Sequence, residues 1–155
     1  MKFQHSILYA LVLAFVSLPA TTQNAAKTYT LPFKSVEGLL LVTVKVNGKP
    51  LTMIVDTGAV SIIVSAEAAG SINDAQVGEM RKNKNIVFIS GSTPARNVTF
   101  ELDSYKFNQS VTVLSLKELN QRIGVKFDGI LGEDFLNNFH TLKVDYKAKT
   151  VELTE

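Results

Sequence analysis

Cysteine is absent from all 155 residues. Its absence excludes disulfides, thiolate nucleophiles, Cys-ligated zinc, iron–sulfur clusters and lipid attachment through sulfur. Histidine is scarce: His5 and His140 are the only two, too few for a His-rich metal site. An excess of one charge is lacking as well. Lys plus Arg number 16 against 14 Asp plus Glu, a formal net charge of +2, with the signs mixed along the chain. That balance gives no basic face for nucleic acid, and none is expected as a partner. Internal repeats and low-complexity tracts are missing, and the length suits one domain. Carboxylate chemistry or plain binding is left, with no cofactor and no metal expected.

The long apolar run is also short for a membrane span. Ile7 to Leu18 is almost unbroken, but a bilayer core takes roughly 20 residues. Lys2 and His5 precede the run and Pro19-Ala20 ends it, the pattern of a signal peptide. Residues 1–20 are read as that segment, with an end as late as Ala26 left open. The protein is then expected to be exported, periplasmic or secreted in a bacterium, and to meet the membrane only transiently. An uncleaved membrane anchor carrying an interaction module is the alternative.

The remainder, residues 28–155, reads as one β domain. Thr28–Phe33, with Tyr29, Leu31 and Phe33 alternating, begins it as an edge strand. Leu39–Val46 and Lys49–Val55 flank Asn47-Gly48, a strong hairpin signal because both turn positions need φ > 0. Ile62–Val64 follows, and Ser65 is placed to cap a short helix through Ala69. Ile86–Ile89, Val98–Leu102 and Val111–Leu116 read as strands, the first two joined by a turn over residues 90–94. Glu133–Phe139 is a second short helix, and Thr141–Tyr146 pairs with Thr150–Leu153.

Two segments carry chemistry. Met53-Ile54-Val55-Asp56-Thr57-Gly58-Ala59 delivers one acid from an apolar strand into a tight loop, where Gly58 permits close approach. The bland reading of that loop is a surface turn. The second segment, Asp128-Gly129-Ile130-Leu131-Gly132, leads into Glu133-Asp134-Phe135-Leu136. Together they resemble the aspartic protease family in its single-domain, retroviral-type (retropepsin-like) form, and within it the exported bacterial branch. The Val46 to Leu51 hairpin shares that likeness, which spans about Pro32 to Leu153.

The resemblance implies an all-β fold, a single-lobe closed barrel with one or two short helices. It also implies an aspartic endopeptidase acting on peptide or protein. Such an enzyme needs two carboxylates sharing one proton, one activating water while the other protonates the scissile carbonyl. The chain holds one Asp-Thr-Gly, so the resemblance implies a homodimer that draws Asp56 from each of two chains. Thr57 would bond across the two-fold axis, Gly58 would face substrate with its carbonyl, and Ala59 would line the cleft. Ile130, Leu131 and Gly132 would cross behind the acid. Ser90, Gly91 and Ser92 are the flap candidates, and Tyr29–Phe33 with Val151–Thr154 the strands expected at the dimer interface. Val60 and Glu133 stand where the retroviral enzymes carry an Asp–Arg ion pair, so that clamp is missing from both sides. A catalytically silent peptide-binding or interaction module of the envelope is the runner-up. Asp128 with Glu133 and Asp134 reads as a helix N-terminal charge cluster before it reads as a cation site.

Overall fold

The computed structural model describes residues 26–69 and 93–155. The expected strand at 86–89 and the flap candidates Ser90, Gly91 and Ser92 lie outside the described residues. Nine strands are present among those described: β1 (Thr28–Val36), β2 (Leu39–Val46), β3 (Lys49–Val55), β4 (Ile63–Ser65), β5 (Thr93–Leu102), β6 (Tyr105–Leu114), β7 (Gly129–Leu131), β8 (Thr141–Asp145) and β9 (Thr150–Thr154). Three short helices accompany them, α1 (Ala66–Ala69), α2 (Lys117–Ile123) and α3 (Glu133–Leu136).

Six strands close a ring in the order β2-β3-β7-β4-β6-β5 and back to β2. This is the all-β, single-lobe closed barrel that the sequence implies. The remaining strands extend from β2 as a tail, β1-β9-β8. Closure follows from short turns and β-branched strands. Asn47 and Gly48 both adopt positive φ, 48° and 80°, which a two-residue hairpin between β2 and β3 requires. Glu37 and Gly38 do the same between β1 and β2, at 50° and 79°.

The core fills the ring and its tail. Tyr29, Leu31 and Phe33 point inward from β1, Val42, Val44 and Val46 from β2, and Val151 and Leu153 from β9. Phe135 and Phe139 join them, Phe135 stacking on Phe107 and Phe139 lying tilted against Tyr105, as the size and apolarity of these rings favour. Each such ring, fully buried, is worth about 1.5–3 kcal/mol of transfer free energy. A second cluster, Leu41, Ile54, Leu116, Val125, Phe127 and Ile130, lies under α2 and the loop that follows it.

Several boundaries differ from the sequence reading. Thr93 and Pro94 belong to β5, opposite Val113 and Thr112, where a turn is expected. Proline is tolerated because β5 meets β2 near its far end, at Phe100 and Glu101, so that among the described residues Pro94 has a strand on one side alone. The β5–β6 hairpin turns at Asp103-Ser104, with Asp103 at φ 49°, so β6 begins well before Val111. Helix α2 is a third helix where the sequence marks two, and α3 stops at Leu136, short of Phe139.

Candidate active site

Asp56 follows directly on β3, the strand that pairs in parallel with β7 in the register Met53↔Gly129, Ile54↔Ile130 and Val55↔Leu131. The parallel pairing carries the second motif behind the first. The Asp56 N–H donates to the Leu131 carbonyl at 3.1 Å, so the acid is anchored to the middle of Ile130-Leu131-Gly132. Past Gly132 the chain enters α3, whose first N–H groups turn back onto the acid's loop. The Glu133 N–H donates to Ala59 O at 2.7 Å and the Asp134 N–H to Val60 O at 3.1 Å.

Two glycines make this crossing possible. A Cβ on Gly132 would stand 2.6 Å from both the Ala59 and Ser61 carbonyl oxygens. One on Gly129 would run into the Ile63 carbonyl oxygen and stand 2.6 Å from Met53 Cε. Neither residue needs positive φ; both are glycine because backbone passes too close for a side chain.

Within the loop, the Gly58 N–H donates to Asp56 Oδ1 at 2.8 Å and the Ala59 N–H to Asp56 O at 3.3 Å. The local turn that explains Asp-Thr-Gly as a surface feature is therefore present. Its floor of Leu131, Gly132, Glu133 and Asp134 goes beyond what a surface turn needs. Asp56 and Ala59 are half-buried, Thr57 and Gly58 exposed. Val60 is 76% exposed, an apolar side chain in the place of a charge. Ile130 and Leu131 are buried.

Asp134 was not singled out for this loop by sequence reasoning, which assigns it to a charge cluster. Here one carboxylate oxygen accepts the Ile62 N–H, while its own N–H holds Val60 O. One residue thereby fixes the chain on both sides of Ser61. Burial is the main cause holding this carboxyl above the usual carboxylate range, and Oδ1 is buried without a partner among the described residues. No sequence signal marks it, because Glu133 beside it has the same charge and is exposed.

Asp128 does different work. Its carboxylate accepts the Thr52 N–H at 2.9 Å, its N–H donates to Thr52 O at 2.7 Å, and its carbonyl accepts the Ser65 N–H at 2.7 Å. Among the described residues, no three of His, Cys, Asp and Glu gather as a metal site. Thr52 lies four residues before Asp56 along β3, about 13 Å at strand rise, so Asp128 is no second acid for Asp56 in one chain. A cavity of about 490 Å³ bordered by Ser65, Asn120, Phe127 and Asp128 opens at that far end. His140 is exposed, its N–H donating to Thr154 O at 2.7 Å.

The strands expected at a dimer interface pair with each other inside the chain. Leu31 sits opposite Val151 and Tyr29 opposite Leu153, and β9 pairs with β8 on its other side. The hairpin joining β8 to β9 folds β9 back into the groove between them, so both of its edges are taken.

Comparison with known proteins gives this geometry its relatives. A search of curated proteins finds no sequence match. Among solved structures, a retropepsin-like aspartic protease from Rickettsia conorii superposes with a TM-score of 0.54 at 18% identity, covering 84% of this chain and 94% of that one. The retroviral protease-like domain of Ddi1 from Leishmania major aligns at 18% identity and a TM-score of 0.49, over 70% and 82% of the two chains. The EIAV protease in complex with the inhibitor HBY-793 aligns at 21% identity and a TM-score of 0.44, over 68% and 91%. The first of these supports the barrel and its crossing as a shared fold. Residues 42–138, which contain both motifs, match the family described as "gag-polyprotein putative aspartyl protease". With that match over most of the barrel, the chain belongs to the retropepsin-like aspartic protease family.

Proposed function

We propose that this protein is an aspartic endopeptidase, and that its active unit is a homodimer in which two copies of Asp56 share one proton. The observation that carries the reading is the unspent carboxylate of Asp56. It is held rigidly by Leu131 and Gly58, yet among the described residues it meets no neutralising cation and keeps lone pairs free. Asp128, the acid of the second motif, is spent on Thr52. A second acid near Asp56 then comes from another chain, and a closed two-fold axis supplies it. In such a pair one carboxylate takes the proton of a water while the other gives its proton to the scissile carbonyl. Thr57, whose hydroxyl has no partner among the described residues of its own chain, would brace the two loops, with Gly58 and Ala59 beside the substrate. The signal-peptide pattern at residues 1–20 supports an envelope or secreted setting and peptide or protein substrates there.

Mixing tests the shared site. Asp56→Asn chains, nearly isosteric with wild type, are exchanged with equal amounts of wild-type chains at a concentration that keeps dimers assembled. Random pairing leaves about one quarter of the activity on a peptide library, because each site draws on two chains. Activity at about one half means a complete site in every chain and removes the dyad. No cleavage by fully exchanged wild type leaves the silent binding module in its place.

A further inference from the structure

Among the described residues, Asn120 Oδ1 and Asp134 Oδ1 are buried side-chain atoms with no hydrogen-bond partner, and the second lies beneath the Asp56 loop. Native interiors leave few such atoms, and each asks for a reason. The companion oxygen of Asp134 accepts the Ile62 N–H, and the Asp134 N–H holds Val60 O at 3.1 Å. Its carbonyl is gripped in turn, by Gln109 Nε2 at 3.3 Å and Asn138 Nδ2 at 3.4 Å. The main chain of Asp134 is thus pinned to β6 and to the end of α3, and its carboxyl is the part that can change state.

We infer that Asp134 is a positioning residue for Asp56 that works in its protonated form, and that its ionisation slackens Val60–Ile62 and with it the acid's loop. This rests on the reading of Asp56 as a reacting group. The two states of the carboxyl ask different things of the site. A neutral acid leaves Oδ1 in place at the cost of one unmade hydrogen bond. An ionised one buries charge on an oxygen that no donor meets, which is far more costly. Relief lies toward water, and the carboxyl cannot move there without pulling on the Ile62 N–H or releasing it. The slack has a short path to Asp56, whose carbonyl takes the Ala59 N–H at 3.3 Å, one residue before Val60. A proton-sharing pair needs acid as well, so brace and pair let go in the same direction of pH.

No neighbouring charge sets this behaviour. The titratable groups on the elements around Asp134 are Asp56 on the loop, Glu133 on α3, Tyr105 and Lys106 on β6, and Asp128 before β7. Glu133 is exposed, Lys106 is paired with Glu101 at 2.9 Å, and Asp128 is spent on Thr52. Burial raises the Asp134 carboxyl and the Ile62 and Phe135 N–H groups oppose it, with no charged side chain contributing.

Asp134→Asn fixes the neutral form, since its amide oxygen still accepts the Ile62 N–H and no charge can form. Profiles of kcat for peptide cleavage against pH, each scaled to its own maximum, should part on the alkaline side. Wild type should fall earlier and more steeply than about ten-fold per pH unit, because two groups ionise. Asp134→Asn should fall about ten-fold per unit, as the shared pair alone requires. Asp134→Ala leaves the Ile62 N–H without its acceptor and should lose about ten-fold or more in kcat relative to Asp134→Asn. A merely structural carboxyl would lower the rate alike at every pH, so coincident scaled profiles overturn the proposal, whether or not Asp134→Ala folds. A second readout needs no activity. In Asp56→Asn, where no pair titrates, the Ile62 amide followed by NMR should shift in one step with pH. That step should vanish when Asp134→Asn is added, while the Thr52 amide, held by Asp128, is indifferent to it. An Ile62 step that survives Asp134→Asn, or no step at all, overturns the proposal. Wild type that cleaves nothing at any pH, with the Ile62 step present, removes the endopeptidase and keeps the brace. Wild type that cleaves with coincident profiles removes the brace and keeps the endopeptidase.

Discussion

The β3–β7 ladder has an acid at each end, and the two acids are held in opposite ways. At one end Asp128 spends its N–H, its carbonyl and its carboxylate on Thr52 and Ser65, tying β3, β4 and β7 together. At the other, Asp56 spends its N–H on Leu131 and, among the described residues, receives only the Gly58 N–H on its carboxylate. Both residues are half-buried, so exposure does not separate them. Hydrogen-bond use does. A carboxylate absorbed by backbone donors of the barrel wall is structure, whereas one fixed by its main chain with lone pairs to spare is available for proton transfer.

The largest expected effect breaks that comparison at the Asp56 end. Asp56→Asn should lower peptide hydrolysis by about 10³-fold or more, in the range of a lost general acid–base, with the thermal transition unchanged. Asp128→Asn keeps an amide oxygen for the Thr52 N–H and should leave turnover near wild type. Comparable losses from both would end the distinction between the two acids.

Next come the glycines that let the ladder cross. Gly132→Ala pushes a methyl group into the Ala59 and Ser61 carbonyls beneath the Asp56 loop, and Gly129→Ala pushes one into Ile63 O and Met53. Backbone cannot yield as a side-chain tip does, so each should cost about 3 kcal/mol or more in denaturant unfolding. Asp128→Ala is milder: it strands the Thr52 N–H in the barrel wall, a loss of about 1–3 kcal/mol. If Gly132→Ala unfolds at the wild-type midpoint, the close crossing behind Asp56 is wrong.

How much of this was legible in the sequence follows the same division. The Asp56 loop and its floor were readable because Asp-Thr-Gly after one apolar strand and Ile-Leu-Gly before a short helix together resemble one family, which implies the crossing; either segment alone fits a surface turn. The Asn47-Gly48 hairpin was readable from its own residues: both φ values are positive, and both residue types advertise it. Glu37-Gly38 makes the same turn with a residue that does not, so β1 extends three residues beyond the expected Phe33. Helix α2 escaped because Lys117–Ile123 has no buried face and no side-chain cap, only Gly124 in the left-handed region at its end. The pairing of β1 with β9 lies beyond local signals altogether. Partner choice over more than 100 residues is set by the tertiary register, and alternation shows only that each strand has one inward face.

The smallest expected effect sharpens the comparison with a third carboxyl, Asp134, which is neither spent nor free. It braces the Asp56 loop from below, and burial holds its carboxyl above the usual range. A group whose folded value is raised contributes stability that is fully present below its unfolded value, here 3.8, and lost as pH climbs through the folded value. Wild type should therefore lose a part of its stability between about pH 4 and neutrality that Asp134→Asn does not lose. Asp145 has the opposite sign. The Ala148 and Lys147 N–H groups hold it below the usual range, so its contribution is present above 3.8 and fades as pH falls. Although the residue is half-buried, its carboxylate is open to solvent and screened, so it adds little. The measurement is the difference in melting temperature between Asp134→Asn and wild type, taken from pH 4 to pH 7. That difference should move in favour of the variant as pH rises, by a degree or a few. A constant difference across the range would mean that Asp134 titrates alike folded and unfolded, and that it grips Val60 and Ile62 without a cost in charge.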